Sequence, residues 1–319
     1  MAADAPDADG DAGGGRTDAG EGDSDAPHPA FEPYAAEPVP QAAVGVPGKD
    51  GALELTFAST EGGTQLVRDY ATVPFHVSGT LGHDPHPDAS TVFVQSPTGG
   101  VAQGDRHDIE IAVREDAVAH VSTQSSTKVL TMERNYAAAD ATFSVASGGH
   151  LDYVPEPTIL HANARYYQDL TVELESDATA VVADVVVPGR LARGERFDFE
   201  RYLSRVRAEG PDGLLFEDAT HLTPAEVDPR APGVLGEYDV YGTLFVVDPD
   251  GDAVDSDALH EAVADHEARA GATELPNDAG VAVRALGDRA ETVTDALHAA
   301  WDRARRELID APAPEGRKY

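Results

Sequence analysis

The chain of 319 residues has no cysteine. Disulfides, zinc fingers, iron–sulfur clusters and a thiol nucleophile are therefore excluded. No apolar run approaches the ~18 residues that cross a bilayer as a helix. The first residues, MAADAPDADG, lack the basic region and apolar stretch of a signal peptide, which points to the cytoplasm. Lysine is nearly missing: only Lys49, Lys128 and Lys318 occur, and the other 20 basic residues are arginine. Against 23 Lys+Arg stand 58 Asp+Glu, a formal charge of −35. With no basic stripe to replace phosphate counterions, direct nucleic-acid binding is excluded. Acidic excess with lysine depletion reads as a halophile surface, where carboxylates hold water and cations and salt screens their repulsion.

Catalytic signatures are missing as well. There is no G-x-S-x-G elbow, Walker A loop, H-E-x-x-H or dinucleotide fingerprint. The glycines of GGGRTDAG follow no strand and lie in an acidic head. Residues 1–50 carry 11 acidic and 2 basic side chains and little apolar surface. Such a segment cannot offset its ordering entropy, so it reads as a disordered tail ahead of a single domain, 51–319.

What is present after residue 51 is a succession of short alternating runs. ALELTF (52–57), TQLVRDY (64–70), STVFVQ (90–95), IEIAV (109–113) and ATFSV (141–145) come first. HLDYV (150–154), LTVEL (170–174), AVVADVVV (180–187), LLFED (214–218) and YDVYGTLFVV (238–247) follow. Each is bounded by Gly, Pro, Asp or Asn, the pattern of many closely spaced strands in a mainly β body. FDFERYLSRVRA (197–208) fits either a strand or a helix. Two helices are expected late. Ser256 can cap DALHEAVADHEARAGA with Gly271 as its stop, and Asp288 can cap RAETVTDALHAAWDRARRELID with Glu291 in the capping-box position. Val281–Leu286 between them reads as a strand, and Trp301 as a core anchor. No repeat of fixed period is visible, so composition and spacing do not establish a solenoid.

Metal ligands are abundant but scattered. His83-Asp84-Pro85-His86 is the densest group, either a nickel-like site or an exposed turn. His260 and His266 are six apart and would not face together on a helix. Three stretches stand out from composition. In SPTGGVAQGDRHDIEIAV (96–113), glycines lead into a strand through Gly104-Asp105. HVSTQSSTKV (120–129) alternates as one polar strand and contains the one lysine well inside the body. In YVPEPTILHANARYYQD (153–169), two prolines stiffen the chain around Glu156.

In order and spacing these stretches resemble the UreD-type urease accessory proteins, called UreH in some bacteria. The family's GG-x-x-x-GD segment is matched by Gly99, Gly100, Gly104 and Asp105. Its TTQ-x-x-x-K segment is matched by Ser122, Thr123, Gln124 and Lys128, with Ser122 in place of a Thr. Pro155, Glu156, Thr158, Ile159 and Leu160 match its P-Q/E-x-T-I-L segment. GRLARGERFDF, opening with Gly189 and Arg190, resembles its GR-x-A-x-GE stretch. The acidic head and the scarcity of lysine depart from most bacterial members. The resemblance implies a mainly β fold, a β-helix-like stack of many short strands with two helices in the C-terminal half. It implies a non-catalytic chaperone that joins UreF-type and UreG-type accessory proteins on apo-urease, with nickel as transient cargo and no tightly bound cofactor. Glu156, Asp105, His107 and His161 lie in or beside the motifs and are candidate transient nickel ligands; each also has a plainer reading, that of holding a turn. Lys128 is expected to pair with Asp105 or Glu156. Two other classes compete: a β-rich hydrolase or lyase acting on a sugar or polyanion, which would need paired carboxylates, and a β-rich binding module without a metal role.

Overall fold

The computed structural model describes residues 26–39, 48–82, 84–250 and 254–315. These described residues form seventeen strands. The first nine are β1 (Asp50–Thr60), β2 (Gly63–Ala71), β3 (His76–Leu81), β4 (Ala89–Gln95), β5 (Arg106–Val113), β6 (Val118–Thr123), β7 (Thr127–Val129), β8 (Ala137–Val145) and β9 (His150–Tyr153). Then come β10 (Thr158–Leu160), β11 (Arg165–Leu174), β12 (Thr179–Val187), β13 (Arg201–Gly210), β14 (Gly213–Leu222), β15 (Val240–Val247), β16 (Arg269–Glu274) and β17 (Gly280–Gly287). The helices are α1 (Glu32–Ala35), α2 (Ser256–Ala264) and α3 (Ala290–Leu308). None is long and apolar enough to cross a membrane.

The strands form two stacked sheets. One has the order β14-β13-β11-β8-β5-β1-β2; the other runs β16-β17-β15-β12-β9-β6-β4-β3, with β7 and β10 attached. From β4 to β13 the chain alternates between them and pairs in parallel with its own previous turn. That is a β-solenoid. Ala89, Val118, His150 and Thr179 stand side by side, at steps of 29, 32 and 29 residues. The steps differ and the corners differ in sequence, which hides the coil from a search for repeats. Antiparallel β1–β2, β3–β4, β13–β14 and β15–β17 pairs close the two ends.

Alternation places Leu53, Leu55, Phe57, Ile111, Phe143 and Val172 against Val92, Val121, Val182 and Phe245 between the sheets. The outer face of the second sheet carries α2 and α3, packed through Val293, Leu297 and Trp301 on Val185, Leu244 and Val283. Gly242 on β15 lets α3 approach: a Cβ there would lie 2.8 Å from Leu297 and 2.9 Å from Val293.

Several local expectations are corrected. HVSTQSSTKV is not one strand; it breaks after Thr123 and resumes as β7, because the chain turns a coil corner there. The ambiguous 197–208 segment supplies β13. Helix α2 is capped by Asp255 rather than Ser256 and ends at Ala264. Gly271 lies within β16, since pairing with β17 outweighs the helical propensity of that stretch. The residue before α3 is Arg289, not Asp288, and it makes no side-chain cap. Of the head expected to be disordered, 1–25 and 40–47 lie outside the described residues, but 26–39 are packed. Phe31 is fully buried among Tyr34, Tyr136 and Tyr167. Glu37 accepts from the Asn135 backbone N–H (2.6 Å) and from Arg165 (3.1 Å). One aromatic anchor and one carboxylate suffice where overall composition signals none.

Trp301 is a core anchor, as expected, but a polar one. Its Nε1 donates to Asp152 Oδ1 at 2.6 Å. Asp152 also meets Arg305, whose other nitrogen reaches Asp84 Oδ1 at 2.5 Å. His150 and His120 border the group, with His120 Nδ1 3.9 Å from Asp84 Oδ2. Asp84 therefore serves in a buried ion-pair cluster beneath α3; His83 lies outside the described residues. Burial alone would raise the Asp152 carboxyl, but His150 and Arg305 outweigh it and hold the group below the usual range.

Burial also drives the imidazoles of His120 and His107 down to about 4. The unfolded chain takes up these protons near pH 6.5 and the folded chain near 4, so stability falls as pH drops through that window. At ~1.4 kcal/mol per pH unit, each histidine contributes on the order of 3 kcal/mol to that loss. Denaturant unfolding in molar salt at pH 7 and pH 4.5 measures it. Equal stability at the two values would contradict the assignment.

Candidate functional site

Strands β4, β6, β9 and β12 all leave the second sheet at the same end, and there the chain turns into the first. The segments between β4 and β5, β6 and β8, β9 and β11, and β12 and β13 are thus four consecutive corners. They are also the four motif stretches. Val101 bridges Val129, β7 pairs with β10, and β10 pairs with β12, so the corners stack as a short third side of the coil.

The motif residues build this stack. Gly100 has φ +145°, and a Cβ there would collide with the Lys128 carbonyl. The close approach lets Val101 N–H donate to Lys128 O and Leu130 N–H donate to Val101 O, both at 2.8 Å. Gly104 (φ +77°) leaves room for Val39. Asp105 Oδ1 accepts from the backbone of Gly48 (3.1 Å) and Lys49 (2.9 Å), and Oδ2 from Ala102 (2.8 Å). Its ion partner is Lys49, at 3.6 Å, rather than the anticipated Lys128. Thr123 Oγ1 accepts from Glu156 N–H at 2.9 Å, joining the second corner to the third. Gln124 is exposed and donates its backbone N–H to Val94 O. Gly189 passes against the Glu195 carbonyl, and Arg190 forks onto Glu195, whose other oxygen accepts from Ala162 N–H. His161 sits beside that fork. Burial first, then Arg190, holds its imidazole below the ordinary range.

Inside the stack a cavity of about 180 Å³ runs in between the sheets. Gly99, Gly100, Thr123, Lys128, Pro155, Glu156 and Thr158 line its corner end, and His107 lines it further in. Gly104, Asp105, Gln124, His161, Gly189 and Arg190 support the corner from outside that lining. His107 packs on Phe75 with ring centres 4.9 Å apart, and its Nε2 has no hydrogen-bond partner among the described residues. With a pKa near 4 it is a neutral imidazole at neutral pH, the form that binds metals.

Motif reading missed one residue of the lining. Asp184 projects between the sheets from the middle of β12 and accepts from Tyr202 Oη (3.0 Å) and Ser204 Oγ (3.3 Å). Gln168 Nε2 donates to Ser204 Oγ at 3.3 Å and completes the polar chain. Burial raises the Asp184 carboxyl, and the two hydroxyl donors oppose that rise. It raises Tyr153 to about 12, with the Asp184 charge adding to the effect. The signal was available: one aspartate in the eight-residue apolar run AVVADVVV is a buried charge that needs a reason. Among the described residues, no three His, Asp or Glu side chains converge as a metal cage.

Residues 49–318 match the model of the UreD urease accessory protein family. The urease accessory protein UreD of Haloarcula marismortui is 76% identical over 297 residues, covering 93% of this chain and 99% of the relative. That of Natronomonas pharaonis is 48% identical, covering 91% and 98%. That of Yersinia pseudotuberculosis is 35% identical, covering 90% and 91%. The matches span the stacked corners, both sheets and the C-terminal helices, and the chain belongs to the UreD family of urease accessory proteins, an accessory rather than a catalytic family.

Proposed function

We propose that this protein scaffolds urease maturation: it assembles with UreF-type and UreG-type accessory proteins on apo-urease, and nickel crosses its interior cavity as cargo. One observation carries the reading. The four motif stretches make one corner of the coil, and that corner opens on a cavity whose lining includes the Asp184 carboxylate.

Nickel is a borderline ion that accepts imidazole and carboxylate. Glu156 at the corner, and His107 and Asp184 on the walls between the sheets, offer one such donor each. Donors spread along a path hold an ion weakly and let it leave, which suits transit. Asp105, whose oxygens are occupied by three backbone N–H groups, and His161, outside the lining, are left out of this path. The competing hydrolase or lyase reading has no support in an accessory family.

The test is urease produced together with its accessory proteins, with and without this chain. Without it, the purified urease should be poor in nickel; a full complement of nickel would reject the proposal. Glu156 is exposed at the corner, so Glu156→Ala should lower urease activation severalfold and leave the unfolding midpoint unchanged. Full activation by that variant removes Glu156 from the path.

A further inference from the structure

The rim of the corner inverts the charge of the chain. The molecule carries −35 overall, with only 23 basic residues. Yet Lys128 on β7 stands opposite Ile159 on β10, and Ile159 opposite Val187 on β12, so Lys128 lies two strands from the turn that carries Arg190 and Arg193. Lys128 and Arg193 are exposed, and the Arg190 side chain is 38% exposed. Two carboxylates share the neighbourhood. Glu195 is occupied by Arg190 and Ala162, and Glu156 lines the cavity. Lys128 itself sits on the lining, so the cationic rim and the cavity mouth are one place.

We infer that this rim is a docking surface for an acidic segment of a partner protein, whose carboxylates pair with Lys128 and Arg193 and so seat that partner over the cavity mouth. The inference rests on the maturation reading above. Charge complementarity is the ground for it. In molar salt the screening length falls to about 3 Å, so the repulsion between two acidic proteins vanishes beyond contact. Only ion pairs formed in contact then discriminate, and a small cationic island selects acidic side chains. A compact phosphate fits less well. The Arg190 fork is engaged by Glu195, and the remaining cations come from separate corners without a helix N-terminus of two turns or more between them. One lysine in the body of an almost lysine-free chain thereby acquires a purpose. An ammonium is no ligand for nickel, but it recruits the carboxylates that bring it.

The experiment uses the full chain, co-expressed with apo-urease and the accessory proteins in molar salt. The variants are Lys128→Glu with Arg193→Glu, Arg193→Glu alone, and Lys128→Arg. The double reversal should lower the copurified partner by at least about tenfold, Arg193→Glu alone by less, and Lys128→Arg hardly at all. A labelled hexaglutamate peptide should bind the wild type and not the double variant. Undiminished copurification by the double variant, with its unfolding midpoint intact, overturns the inference and leaves the maturation role standing. Should the double variant fail to fold, Arg193→Glu alone decides in the same way. Competition by inorganic phosphate as effective as the peptide's overturns the acidic-segment assignment. If the wild-type chain captures no partner, the maturation reading falls and this inference with it.

Discussion

Arg305→Ala should destabilise the protein by about 3–5 kcal/mol, the range for stripping one partner from a buried ion pair. Arg305 is fully buried, and so are the side chains of Asp84 and Asp152 that it joins. Its guanidinium stands 5.8 Å from the Trp301 ring. Removing the cation strips both carboxylates of their shared guanidinium and leaves only the bordering histidines, so the carboxylates must be hydrated or protonated. Arg305→Lys should recover only part of the loss. An ammonium is a point charge and cannot reproduce a fork that meets two carboxylates at once. The check is denaturant unfolding in molar salt, with a double-mutant cycle through Asp152→Ala. A change under ~1 kcal/mol for Arg305→Ala, or a coupling to Asp152 near zero, would show that the cluster does not hold α3 in place. High salt sharpens the test, because it screens exposed pairs such as Arg289–Glu267 and leaves a buried one nearly untouched.

That cluster also marks a limit of sequence reading. Asp84 and Arg305 are 221 residues apart, and neither has a neighbour in the chain that foretells the other. Strands were legible because alternation is local: IEIAV, ATFSV and LTVEL each place one apolar row inward whatever their partners are. The stacking of coils was not, since parallel pairing joins residues about thirty apart through corners that share no sequence. The motif residues were legible as positions but not as a place. Gly100 reads as a turn glycine, while its actual constraint is the Lys128 carbonyl of the next coil. The same topology overturns the polar-strand reading of 120–129, because the chain turns at Gln124–Ser126. Phe31 shows the converse. In a head so rich in Asp, Ala and Gly, this single side chain fills an aromatic box.

Asp184→Asn should separate stability from function. The amide keeps the shape of the carboxyl and can still accept from Tyr202 and Ser204, while the charge that adds to the upward shift of Tyr153 is gone. Burying a neutral amide costs less than burying a carboxylate, so the unfolding free energy should stay within about 1 kcal/mol of the parent or rise. An amide is a far poorer ligand for nickel than a carboxylate. If the ion passes Asp184, nickel in the purified urease should fall by roughly tenfold, the scale on which changes around a metal ligand act. Asp184→Glu would restore the charge at the cost of one extra methylene in a closed space and should recover part of the delivery. Measuring unfolding and urease nickel on the same variants gives the decisive pattern. A parent-like midpoint with nickel-poor urease places the ion in the cavity. A parent-like midpoint with nickel-replete urease removes Asp184 from the path and makes its hydrogen-bonded chain with Tyr202, Ser204 and Gln168 a packing device alone.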